Sequence, residues 1–487
     1  MYQADYDAVC HQSELGSSRF ANSYSLCLSA RRCGPIFDSC CPTFDTNVGS
    51  HCKHKKLGYK MLAITLFLTL LALLLFSVPI GICLGLATMI MMVLVEGTPP
   101  LVLLARSVVT GADSFPLIAV PLFILAGDLM QHGGMSSRLV DFANALIGHI
   151  RGGLAYVNVL ACVFFAAISG SSPATVAAIG SNMIPEMEKV GYSRKFTGAL
   201  TASSGMIGVM IPPSIPFIIY GVTAEVSIGK LFLAGIVPGV LFALMFMLIA
   251  RFLLRNDDVI HKSTAAFSAP SAWQSFRNSI WALLVPVIIL GGIYSGIFTP
   301  TEAGAVAVVY AALIGIFVYG DISVKDLPEI LASSAKTSGT ILVLVVMATA
   351  FGRLITLARI PSDLAMSITS LSDNPIIILL LINLLLLVIG MFMETISSII
   401  IMTPILLPVA TALGVDPILF GVILTVNLAI GFCTPPLGVN LFVASSISKV
   451  SIESLSRTIL PFFVGMIILL MLISYIPAIS LTVPSLW

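Results

Sequence analysis

Residues 205–214 read Gly-Met-Ile-Gly-Val-Met-Ile-Pro-Pro-Ser, and residues 427–440 read Asn-Leu-Ala-Ile-Gly-Phe-Cys-Thr-Pro-Pro-Leu-Gly-Val-Asn. In each, an apolar run meets two consecutive prolines, which remove backbone donors and stop a helix. A shift of 223 residues superimposes the two stretches and also places Pro185, Gly191, Gly198 and Pro238 on Pro408, Gly414, Gly421 and Pro461. Together with Gly208, Pro212 and Pro213 falling on Gly431, Pro435 and Pro436, this makes seven helix-breaking positions in register. Glycine and proline are enriched in membrane helices generally, but seven ordered coincidences indicate two repeats.

The sequence around the breaks is that of a membrane protein. Of 487 residues, 58% are hydrophobic and 10% charged, against a charged fraction of about 25% in soluble domains. Strand-like alternation is absent, which argues against a membrane β-barrel. The 24 basic and 23 acidic residues form no basic stripe, so no nucleic-acid partner is expected. Apolar segments predict spans at 62–95 (kinked near Pro79, one pass or two), 115–131, 196–223, 229–254, 279–297, 302–319, 337–352, 418–446 and 458–480.

Two further apolar pieces, 154–187 and 376–412, are interrupted by polar groups: Ser169-Gly-Ser-Ser-Pro173 in one and Glu394-Thr-Ile-Ser-Ser398 in the other. Polar breaks at membrane depth survive only inside protein or beside a cavity, so both pieces read as re-entrant hairpins. Segments 134–151 and 321–336 are amphipathic and read as arms along the membrane surface.

Threading these spans puts Arg138, Arg151, Lys189, Arg194, Lys195, Arg251, Arg255, Lys262, Arg277, Lys325, Lys336, Lys449 and Arg457 on one side. Arg106, Lys230, Arg353 and Arg359 fall on the other, and the positive-inside rule makes the first side cytoplasmic. The first hairpin then opens to the cytoplasm and the second, with Asp373 and Asp416 near its base, to the opposite face. Inverted repeats of this kind build many secondary transporters.

The predicted architecture is an all-α integral membrane protein of two inverted-topology repeats with re-entrant hairpins and broken helices. The first repeat spans 61–255 and the second 279–480, joined by a cytoplasmic loop at 256–278 and followed by a tail at 481–487. Residues 1–60 carry six of the nine cysteines, with His11, His51 and His54, but no CxxC pair or signal-peptide order. They read as a disordered tail or as translated sequence upstream of a start at Met61.

Carbonyls freed at a break and adjacent hydroxyls are hard oxygen ligands suited to Na⁺, and helix N-termini present N–H groups to a carboxylate. The candidate cation ligands are Ser169, Gly170, Gly208, Pro212, Glu394, Ser397, Gly431, Thr434 and Gly438. The candidate solute contacts are Ser171, Ser172, Thr175, Ser214, Thr395, Ser398 and Asn440. For a lone proline or serine a plain kink would be the better reading; repetition in both halves reverses that preference. Glu394 could hold a cation, take up a proton or fix the tip. Asp128 and Arg353, nearer span ends, are expected to snorkel.

Phe115-Pro-Leu-Ile-Ala-Val-Pro-Leu-Phe-Ile-Leu-Ala-Gly127, Phe164-Phe-Ala-Ala-Ile-Ser-Gly-Ser-Ser-Pro-Ala-Thr175, Gly208-Val-Met-Ile-Pro-Pro-Ser214 and Phe298-Thr-Pro-Thr-Glu-Ala-Gly304 carry a resemblance. From about Met61 onward the sequence resembles the large membrane subunit of tripartite ATP-independent periplasmic (TRAP) transporters. The resemblance implies an ion-transporter-like fold of elevator type and Na⁺-driven uptake of a small organic anion. It also implies a periplasmic solute-binding protein, a small four-helix membrane subunit and a multi-pass location in a bacterial inner membrane, where the threading above puts the C-terminus on the periplasmic side. No cofactor beyond the coupling ion and no enzyme chemistry are implied. A proton-coupled or exchange-type transporter working without a binding protein is the nearest alternative, favoured by Glu394. An ATP-driven pump is opposed by the lack of GxxxxGK[ST], and an intramembrane hydrolase by His132, His149 and His261 lying outside the predicted spans.

Overall fold

In the computed structural model, the described residues are 65–66, 68–70, 72–73, 76, 78–94, 101–255, 268–357, 374–435 and 438–486. The expectations for 1–60, for Arg359 and Asp373, and for Pro436 lie outside them.

Helix starts follow local chemistry. Asn374 and Asp416 accept from backbone N–H groups ahead of Pro375 and Pro417, and Thr299 and Glu302 form a reciprocal capping box around Pro300. In chain order the helices are α1 Ile80–Leu94, α2 Leu101–Ala112, α3 Ala119–His132, α4 Met135–Ile147, α5 Gly153–Ser169, α6 Ser172–Lys189 and α7 Arg194–Gly205. There follow α8 Ile215–Thr223, α9 Ile228–Leu253, α10 Ala269–Tyr294, α11 Pro300–Leu313, α12 Leu327–Leu357, α13 Pro375–Phe392 and α14 Thr395–Ala412. The last are α15 Pro417–Gly431, α16 Val439–Ser448, α17 Ile452–Thr458, α18 Leu460–Tyr475 and α19 Ala478–Ser485. Among the described residues seven helices are long and apolar enough to cross a membrane, or eight if the pair α17–α18, bent by 57°, is one span.

The repeat is visible in the helix bounds. Helix α14 begins and ends 223 residues after α6, and α13, α15 and α16 follow α5, α7 and α8 to within a few residues at the same shift. Contacts obey the symmetry too. Helix α3 packs on α11 as its counterpart α12 packs on α1, and α8 packs on α14 as α16 packs on α6. The hairpins α5–α6 and α13–α14 and the broken helices α7–α8 and α15–α16 thus form two repeats of inverted topology that interlock.

Matched glycines make the interlock close. A Cβ on Gly421 would strike the Tyr220 ring, and one on Gly198 would stand 2.8 Å from Leu455 and 3.2 Å from Ser448. Tyr220, fully buried, also donates to Pro417 O at 2.6 Å. Each glycine lets a broken helix of one repeat admit the other repeat.

Four expectations change. Helix α2 was not foreseen. Segment 321–336 is no separate arm, because α12 runs unbroken for 31 residues, about 46 Å at 1.5 Å per residue. The expected span 458–480 is divided at Ile476, and residues 478–485 form a helix against α9 rather than a simple tail. Asp128 does not snorkel: its Oδ2 accepts from Ser334 Oγ on α12 at 2.5 Å. Segment 135–147 is the expected amphipathic helix, and its Arg138 pairs with Asp321 at 2.6 Å and lies 3.8 Å from the Tyr319 ring centroid.

Candidate functional site

Helix α5 ends because Gly170 adopts a left-handed conformation (φ 60°), and α6 restarts at once with Ser171 extended and Pro173 in the first turn. The resulting tip is folded against the first break. Ile215 N donates to Gly170 O at 3.3 Å, and a Cβ on Gly208 would stand 2.5 Å from Thr175 Oγ1 and 2.6 Å from Ser171 O. Only a glycine permits that approach.

The tip concentrates oxygen. Thr175 Oγ1 donates to Ser171 O at 2.8 Å, which leaves the 3.0 Å contact between Ser169 Oγ and Thr175 Oγ1 with serine as donor. Ser169, Gly170, Thr175, Gly208 and Pro212 are buried, while Ser171 is half-buried. Ser214 is spent locally: its Oγ donates to Val209 O at 2.6 Å and caps α8 by accepting from Phe217 N at 3.4 Å. Hydroxyl and carbonyl oxygens without thiolate or imidazole suit a hard monovalent cation. Among the described residues no group of His, Cys, Asp or Glu is arranged to hold a metal ion.

The second tip differs. Glu394 is exposed, with Oε2 accepting from Ser397 Oγ at 3.3 Å, and Ser398 Oγ donates to Glu394 O at 3.0 Å. Thr395 Oγ1 is buried without a hydrogen-bond partner. In the second break, Thr434 Oγ1 donates to Ile430 O at 2.8 Å, and a Cβ on Gly438 would lie 2.7 Å from Phe432 O. The Cα of Gly431 stands directly against the backbone of Gly390 on α13. Among the described residues no hydrogen bond joins the second tip to the second break.

Asn440 is placed at the first tip rather than the second. Its Nδ2 donates to Ser172 Oγ at 2.8 Å and to Ala202 O at 3.0 Å, and its Oδ1 accepts from Ser172 Oγ at 3.1 Å. Cys433 Sγ donates to the same Ala202 O at 3.3 Å. Ala202 and Cys433 were not foreseen, and nothing in their residue types signals the contact. Two buried polar pairs were also missed: Asn158 with Thr201 at 3.1 Å, and Asn427 with Asn383 at 2.7 Å, the latter extended to Ser474 at 3.2 Å. Each ties the outer arm of a hairpin to the following broken helix. An asparagine inside a long apolar run is the signal that could have found them.

The chain matches the family described as tripartite ATP-independent periplasmic transporter, DctM component, over residues 67–479. It is 47% identical over 409 residues to the isethionate TRAP transporter permease protein DctMQ of Oleidesulfovibrio alaskensis, covering 83% of this chain and 64% of that protein, less than two thirds of its length. It is 43% identical to the C4-dicarboxylate TRAP transporter large permease protein DctM of Pseudomonas aeruginosa, over 77% of this chain and 87% of the relative. To the sialic acid TRAP transporter large permease protein SiaM of Vibrio cholerae it is 39% identical, over 86% and 97%. Among solved structures, the YdaH transporter of Alcanivorax borkumensis, described as having an unusual topology, superposes with a TM-score of 0.57 at 17% identity, covering 86% of this chain and 98% of that one. That likeness speaks for the fold alone.

Proposed function

Because this chain belongs to the tripartite ATP-independent periplasmic transporter family as its DctM component, we propose that it couples inward Na⁺ flow to uptake of a small organic anion. The solute is delivered by a periplasmic binding protein, and a small membrane subunit completes the assembly in the bacterial inner membrane, with the C-terminus periplasmic. The observation that carries this reading is the oxygen cluster of buried Ser169 and Thr175 with half-buried Ser171, pressed against Gly208. Na⁺ needs several neutral or anionic oxygens at short range, and Ser169 Oγ, Ser171 O and Thr175 Oγ1 lie together at this tip. The relatives named above are named for isethionate, C4-dicarboxylates and sialic acid. All three are anions, so an anionic solute is the shared chemistry. The α6 and α14 N-termini, with Ser171 and Thr395, present donors for such a group.

The test is uptake of a labelled organic anion into proteoliposomes holding the chain, its small membrane subunit and its binding protein. Uptake is expected under an inward Na⁺ gradient without ATP. Full uptake driven by ATP, or by a proton gradient without Na⁺, would refute the reading. Ser169→Ala and Ser397→Ala should each raise the Na⁺ concentration for half-maximal uptake about three- to tenfold, the worth of one polar contact.

A further inference from the structure

The two hairpin tips occupy matched positions but are held differently. In the first, Ser172 opens α6 and its hydroxyl is bonded to the Asn440 amide, which also reaches Ala202 O on α7. Asn440 follows the second break directly, as the second residue of α16. At the 223-residue shift the matching pair is Thr395 and Phe217. A phenylalanine side chain cannot donate or accept in this way, and Thr395 Oγ1 is correspondingly buried without a partner.

We infer that Asn440 is a positioning residue through which the second repeat's break and the first repeat's tip set each other's geometry, so that cation binding at the two sites is coupled by a contact that exists on one side of the pseudo-twofold only. Three features make the link mechanical. The Asn440 amide is completely buried, so its bonds have no competition from water. Asn440 N donates to Phe432 O at 3.1 Å, so the side chain is anchored across its own break. At the far end, Ser172 is two residues from Gly170, whose carbonyl is bonded to Ile215 N, and three from Thr175 of the oxygen cluster. A displacement of Phe432 or of the first turn of α16 is therefore transmitted to Ser172 and from there to Ser171 O and Thr175 Oγ1. Solute contact is not required of Asn440, because both of its amide atoms are already engaged.

This inference rests on the Na⁺ reading above, and the experiment separates the two. The purified full chain in detergent is titrated with NaCl against choline chloride at constant ionic strength, following thermal unfolding. Wild type is expected to be stabilised by Na⁺ with a Hill coefficient above one. Asn440→Ala and Ser172→Ala should each raise the half-saturating Na⁺ concentration about three- to tenfold and bring the Hill coefficient toward one. The double variant should be no worse than either single one, because both remove the same link. Ser172→Ala deletes one hydroxyl and keeps the measurement open if Asn440→Ala fails to fold. Additive effects, or an equal fall in unfolding temperature in choline and in Na⁺ with unchanged Na⁺ affinity, would overturn the coupling role and leave Na⁺ binding standing. A wild type indifferent to Na⁺ would overturn both.

Discussion

Gly431→Ala is expected to prevent stable assembly of the second repeat, with a cost of about 3 kcal/mol, the upper end for overpacking a core. The added methyl would meet the carbonyl carbon, carbonyl oxygen and Cα of Gly390, all backbone atoms of α13. No rotamer change relieves a clash with backbone, so α13 and α15 must separate, which also strains the Asn383–Asn427 bond between them. Gly291→Ala is the control, since nothing lies within 4 Å of its added Cβ on α10. That change should be neutral or stabilise by up to about 1 kcal/mol through helix propensity. Size-exclusion profile and thermal unfolding in detergent report both. A Gly431→Ala protein as monodisperse and as stable as wild type would show that the helices separate at little cost.

Opposite-side labelling of the hairpin bases is the second large effect. Glu188 lies at the end of the first hairpin, paired with Arg194 at 2.5 Å, and Ala412 is exposed at the matching end of the second. Cys83, Cys162 and Cys433 are buried and can stay, so only the six N-terminal cysteines need replacing. With a membrane-impermeant maleimide, Glu188→Cys should label from the cytoplasmic side and Ala412→Cys from the periplasmic side. Labelling of both from one side would contradict the orientation read from the Lys and Arg distribution.

What was legible in the sequence was whatever depends on local breakers. Pro and Gly act on their own backbone, so the 223-residue shift in their positions located the hairpins and breaks that the helix bounds reproduce. Helix α2 was missed because twelve residues interrupted by Arg106 fall short of a spanning window. The unbroken α12 was misjudged because Leu327–Thr340 is polar, and hydropathy registers burial while helix continuity depends on propensity and packing. At the site, the oxygen-rich tips were visible as residue types. The partner of each was not: Asn440 meets Ser172 across 268 residues, and Tyr220 meets Pro417 across 197, distances over which one sequence holds no pairing information.

The same interlock has a consequence for biosynthesis. The first tip lacks its Asn440 bonds, and α7 its α16 neighbour, until residue 440 has been made 268 residues after Ser172. At about 5–20 residues per second, that is an interval of roughly 15–50 s. During it the nascent first repeat holds unsatisfied hydroxyls and open glycine faces in the bilayer. A ribosome stalled before residue 440 should therefore leave a first half that is inserted yet sensitive to membrane proteases, and release of the full chain should convert it to a resistant form in one step.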